Sequence, residues 1–254
     1  MRWSVEIADV LGEEKMLLQI LRNVGYEVHK LSEQGYQGRV LHHQKYNDFE
    51  TSKHVHDDSK NLAHNIHRFS ETNGTKLGIQ FRGVRQHNPD GSTNRHTFTE
   101  IHETLALRSS VTSTAIQNPA LSEEVHQKLL TEAATQAEEQ KRNAIVHRAV
   151  AALQDSRVLE VMELMSIPEP TTTELGHIVD IVQDSCRGDL GKYTSTTQLK
   201  LFGRSINHPM VFGLGARHAI SNEAPPSKPM TLEEARSYAK GIGAAWLKEL
   251  EKYE

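Results

Sequence analysis

The chain has 254 residues and a mass of 28.6 kDa, with 37% hydrophobic residues, 24% charged residues and a formal net charge of −4. These values suit one large domain or two ordinary ones, and exclude collagen-like, membrane-spanning and wholly disordered chains. A single cysteine excludes a disulfide framework and any Cys-rich zinc site, and fits a reducing compartment. The opening MRWSVEIADV has no apolar h-region, and no stretch approaches the roughly 18 apolar residues of a membrane span, so a cytoplasmic location without membrane contact is expected.

In chain order, Trp3–Ala8 reads as a strand. Glu13–Val24 follows as an amphipathic helix, with Leu17, Ile20, Leu21 and Val24 on one stripe, ended by Gly25. Tyr26–Leu31 and Tyr36–Leu41 read as strands, His54–Phe69 as a helix, and Leu77, Ile79 and Phe81 as the inward side of a further strand. Asn88-Pro89-Asp90-Gly91 is a turn signal, and His96 to about Thr114 reads as a returning strand. The order β-α-β(β)-α-β-β predicts a small α+β sheet domain over residues 1–117, and a ferredoxin-like topology is one way to satisfy it.

Asn118-Pro119 marks the expected boundary to an all-helical domain over 118–254, so the fold class is α+β. Ser122–Gln154 has helical composition, with a break expected near Glu138–Asn143. Val158, Val161, Met162 and Met165 form the next stripe, stopped by Pro168 and Pro170. Thr171-x-x-Glu174 is a capping box that opens a helix carrying Leu175, Ile178, Val179, Val182 and Cys186, which reads Cys186 as a small buried hydrophobe. Thr231-x-x-Glu234 opens the closing helix. Lys200–Pro229 lies between these helices and reads as an ordered loop, longer than a connector requires.

Charge is uneven along the chain. Residues 1–117 are balanced, 118–186 carry net −7, 187–220 carry net +4 and 221–254 carry net −1. The whole chain is therefore not a general polyanion binder, and the basic stretch is where an anionic partner would dock. Within it, Arg204, Asn207, His208, Arg217 and His218 form the candidate polar set, able to bind an anion or move a proton.

Ten of the fifteen histidines fall before residue 118, but their spacing is poor for a metal. His64 and His67 sit about 60° apart on a helix and make the one weak candidate pair. His54 and His56 point elsewhere, and four ligands cannot converge from one straight helix. No metal or cofactor is implied. Gly-x-Gly-x-x-Gly, phosphate-loop and Gly-x-Ser-x-Gly motifs are missing.

The stretch LKLFGRSINHPMVFGLGARHA followed by PPSKPMTLEEARSYAKGIGAAWL resembles the C-terminal part of a widespread set of uncharacterised bacterial proteins, over residues 145–250. That resemblance brings no activity with it. More distantly, a helical domain with Gly and Arg-His in a late loop resembles abortive-infection and HEPN-type domains. Many of those cleave RNA without metal, using an Arg and a His separated by four to six residues. Arg204 and His208 have one intervening residue too few, and Pro209 biases His208 away from helix. Arg142 and His147 have the spacing, but on one straight helix they point about 140° apart. The leading expectation is a non-catalytic binding protein of two domains, whose partner is a protein or a small anionic ligand. The alternative is a HEPN-like ribonuclease or host-defence effector acting on RNA.

Overall fold

A computed structural model describes residues 2–33, 36–98, 123–218 and 224–250. The chain divides into two compact units, Met1–Gln154 and Asp155–Glu254. No described helix is long and apolar enough to cross a membrane.

The first unit runs β1 (Trp3–Gly12), α1 (Glu14–Asn23), β2 (Tyr26–Glu33), β3 (Tyr36–His43), a 3-10 turn (Gln44–Asn47), α2 (Ser52–Thr72), β4 (Leu77–His87), β5 (Thr93–Thr97) and α3 (Glu123–Gln154). All pairings are antiparallel, in the order β2-β3-β1-β4-β5. The first four strands and two helices thus form the split βαββαβ arrangement of ferredoxin-like folds, with β5 added beside β4. The returning strand begins at Thr93, three residues before the expected start, because the Asn88–Ser92 turn closes tightly. There Asn88 N–H donates to Ser92 O at 2.9 Å, and Gly91 takes the positive φ of 84°. The rest of the strand expected to Thr114 lies outside the described residues from 99 onward, as does the Asn118-Pro119 boundary.

Alternation decides which side chains meet the helices. Val5 pairs with Val84 and with Leu41, and all three are buried. Two bulges, with Ala8 extra in β1 and Arg82 extra in β4, reset the period along the strands. Leu77 and Ile79 before the bulges and Val84 after them therefore stay buried. Leu17, Ile20 and Leu21 of α1 and Val55, Leu62, Ile66 and Phe69 of α2 complete the core. Helix α3 packs on α1 and α2 through Val146, Ala149 and Ala152, so its C-terminal half belongs to the sheet unit. It is continuous, and the break expected near Glu138–Asn143 does not occur.

The second unit is all helical among its described residues: α4 (Ser156–Ser166), α5 (Thr172–Ser185), α6 (Thr196–Asn207), α7 (Pro209–Phe212) and α8 (Leu232–Leu250). Both capping boxes are present. Thr171 N–H donates to Glu174 Oε2 at 2.6 Å, and Thr231 N–H donates to Glu234 Oε2 at 2.8 Å. Helix α8 lies close on α4 and α5. A Cβ on Gly243 would meet Met165 Sδ at 2.7 Å and Ile178 Cγ2 at 3.2 Å, so a side chain there would require Met165 to shift. Cys186 is the half-buried C-cap of α5, not a member of its buried stripe, with its Sγ 4.0 Å from Tyr193 Oη. The stripe ends one turn earlier, at Val182.

Candidate functional site

The segment expected as a loop from Lys200 begins as helix. Ser195 caps α6 by accepting from Gln198 N–H, and Phe202, Ser205 and Ile206 bury at the i, i+3, i+4 spacing. This short stripe was masked in the sequence by Gly203 and Arg204 between its members. At Pro209 the helix must stop, because proline lacks the N–H and restricts the residue before it. His208 is extended there, with φ −94° and ψ 119°.

The candidate residues serve mainly as fasteners of the turn that follows. His208 is buried, and its Nδ1 accepts from Met210 N–H at 3.1 Å, capping the single turn of α7. Arg217 N–H donates to Ile206 O at 2.8 Å, and its guanidinium pairs with Asp180 while lying over Gly176. Thr172 Oγ1 donates to Gly215 O. Thr172, Gly176 and Asp180 recur every four residues, so one ridge of α5 holds the turn. Arg204 is exposed and donates to Ala224 O at 2.8 Å, and Met230 N–H donates to Ser205 Oγ at 2.9 Å, tying the far end of the segment to α6. Asn207 Oδ1 is buried without a hydrogen-bond partner among the described residues. His218 is exposed.

What the fastened turn presents is apolar. Met210 is 79% exposed and Leu214 fully exposed, the two large hydrophobic side chains most open to solvent among the described residues. The exposure of Met210 and Leu214 has no signal in the sequence, since no single regular element spans them and periodicity cannot say which way they face.

The Asp180 bridge is the readily tested fastener. Arg217→Ala should raise the rate of proteolytic cleavage between Gly213 and His218 several-fold while far-UV circular dichroism stays unchanged. An unaltered cleavage rate would show that the Thr172 and Ile206 bonds suffice.

The weaker candidates do not assemble. Because α3 runs unbroken, Arg142 and His147 stay about 140° apart on one helix and do not converge. His67 pairs with Glu71 at 3.4 Å, His64 is exposed, and no group of three metal-ligating side chains gathers among the described residues.

Two polar clusters in the sheet unit were not anticipated. On the sheet face opposite Val5 and Val84, Glu6 is 1% exposed. Its Oε1 accepts from Arg85 Nε at 2.5 Å, and its Oε2 accepts from Arg95 Nη2 at 2.6 Å and Nε at 2.9 Å. Arg85 and Arg95 are cross-strand partners, a like-charge pair that would repel without the carboxylate between them. Ser4 and His87 join side chains at 2.9 Å on the same face. The signal was a charged residue inside the apolar run WSVEI.

At the other end of the sheet, Lys45 Nζ lies 2.8 Å from Asp58 Oδ1, and its ammonium sits over the Tyr26 and Tyr46 rings. Burial, then Asp58, pushes the Tyr26 hydroxyl pKa up; burial, then Tyr26 and Asp58, raises the fully buried Tyr46 much further. Burial lowers the pKa of Lys45, but the hydrogen bonds and charges of Asp58 and Tyr26 together outweigh it and the net shift is upward. Burial and then Lys45 lower that of His43. Both phenols therefore stay protonated and the lysine charged at neutral pH, which makes the cluster a structural lock and a poor acid–base pair.

Comparisons with protein-family models, curated proteins and solved structures return no match.

Proposed function

We propose that this chain is a non-catalytic binding protein of the bacterial cytoplasm, whose helical unit docks a partner protein on the Met210–Leu214 turn. One observation carries the reading: among the described residues, the most exposed large apolar side chains lie on a turn that several bonds hold in place. Burying such a side chain is worth about 1.5–3 kcal/mol. A turn already held in place loses little conformational entropy when a partner covers it.

The surroundings define the partner's chemistry. Residues 187–220 carry net +4, and Lys200, Arg204 and His218 are exposed. An apolar socket rimmed by carboxylates complements that surface.

The test compares the wild type with Met210→Ser/Leu214→Ser, using crosslinking in cell extract and incubation of purified protein with RNA. The expected result is a crosslinked partner lost in the double variant, and intact RNA with either protein. RNA turnover that disappears in His218→Ala would overturn the reading in favour of a HEPN-like ribonuclease.

A further inference from the structure

We infer that a second copy of this chain adds to the outer edge of β2, antiparallel strand against strand, so that two sheets run on as one. The inference goes beyond the binding reading above: it concerns the sheet unit and does not depend on what covers the Met210–Leu214 turn.

The edge is built as a template. β2 pairs with β3 through eight consecutive residues, from Tyr26↔His43 to Glu33↔Tyr36, without a bulge. No strand among the described residues pairs with its other side, and it contains no proline. Glu27, His29, Lys30 and Ser32 are exposed, and Val28 and Leu31 are half-buried. Every second residue of such a strand turns its N–H and C=O away from the sheet, a row of donors and acceptors that another strand can satisfy. The opposite edge offers less, since β5 has only five residues.

The side chains decide which strand fits. Val28 and Lys30 share the face of their β3 partners Leu41 and Arg39, and Glu27 and His29 lie on the other face. Glu27 Oε2 and His29 Nε2 are 3.1 Å apart within the strand. With a two-fold axis at Val28, Glu27 of each copy faces His29 of the other. The two Val28 side chains then meet, and Lys30 lies opposite Tyr26.

The neighbouring registers are worse. An axis at Glu27 sets carboxylate against carboxylate, and one at Lys30 sets ammonium against ammonium, both destabilising. An axis at His29 leaves Glu27 facing Leu31. A slip by one residue would put helix-side residues against those of the other face. Lys30 therefore guards the edge selectively. The strand is its own complement in one register, which singles out a second copy and makes the contact isologous.

Charge exchange supplies the test, in sedimentation velocity over a concentration series. Wild type should pass from monomer to dimer and no further, since a two-fold contact closes on itself. Glu27→Lys and His29→Glu should each weaken the dimer by roughly tenfold, because each breaks both acid–base contacts across the axis. Mixed at equal concentration, the two variants should dimerise with each other, and Glu27→Lys/His29→Glu should recover the wild-type association. In a Cys186→Ser background, Val28→Cys should form a disulfide-linked dimer on mild oxidation and Leu31→Cys should not, because only Val28 faces itself. Circular dichroism checks the fold of each variant. Should either exchange disturb it, the Val28→Cys and Leu31→Cys comparison decides alone.

A wild type that stays monomeric, an assembly that grows past the dimer, a dimer indifferent to both exchanges, or equal crosslinking at Val28 and Leu31 would overturn the inference. Met210→Ser/Leu214→Ser separates it from the binding reading. That variant should dimerise as wild type does, and loss of its dimer would move the contact to the turn and overturn the edge pairing. A failed dimer with the extract crosslink intact removes the edge pairing and leaves the binding reading standing.

Discussion

Replacing Glu6 with alanine should destabilise the sheet unit by about 3–5 kcal/mol, the usual result of removing one partner from a buried ion pair. The substitution strips Arg85, only 8% exposed, of the carboxylate at 2.5 Å and leaves it facing Arg95 across the β4–β5 pair. Arg95→Ala should cost less than about 1 kcal/mol, because that side chain is 43% exposed and water replaces much of what it loses. Urea unfolding followed by Trp3, 2% exposed in the same unit, measures both changes. Trp246→Phe serves as background, since the only other tryptophan lies in the helical unit. Equal losses for the two variants would mean that the carboxylate serves Arg95 and not Arg85.

Gly12→Ala should be at least as damaging, costing about 3 kcal/mol or more, or preventing the sheet unit from folding. Gly12 has a φ of 80°, and a Cβ there would lie 1.3 Å from the Lys76 carbonyl oxygen, inside covalent range. It pairs with Leu77, so relief would require β1 and β4 to separate at that end. Gly91→Ala provides the control. Its φ of 84° is as unfavourable, but nothing lies within 4 Å of the added carbon, so it should cost only about 1–2 kcal/mol. The difference between the two isolates the steric component. A Gly12→Ala protein no less stable than Gly91→Ala would show that the strand ends yield freely.

The sheet unit was largely legible because its signals are local. The stripe of α1, the positive-φ glycine after it and the Asn88–Ser92 turn each fix an element without help from distant residues. Helix α6 was missed because its buried positions, Phe202, Ser205 and Ile206, include a serine that a hydrophobic count ignores. Ser205 is buried because its hydroxyl donates to Leu201 O and accepts from Met230 N–H, a long-range bond no periodicity reveals.

The polar residues of the candidate segment were legible in the sequence, but the bonds they make were not. Arg217 and His208 stood in a polar set expected to bind an anion or move a proton, and in the structure Arg217 is engaged by Asp180 and His208 by Met210 N–H. The sheet-face cluster of Glu6, Arg85 and Arg95 was invisible for a related reason: its members lie 79 and 89 residues apart and meet only through strand pairing.

The four-residue ridge of α5 also bears on how the turn can vary. Its three footholds, Thr172, Gly176 and Asp180, receive Gly215 and Arg217 at set positions. Adding or deleting a single residue between Gly213 and Arg217 would carry every foothold out of step at once, whereas replacing Met210 or Leu214 disturbs none of them. The tip is therefore free to change its character but not its length, the condition under which one scaffold can be fitted to different mates by substitution alone.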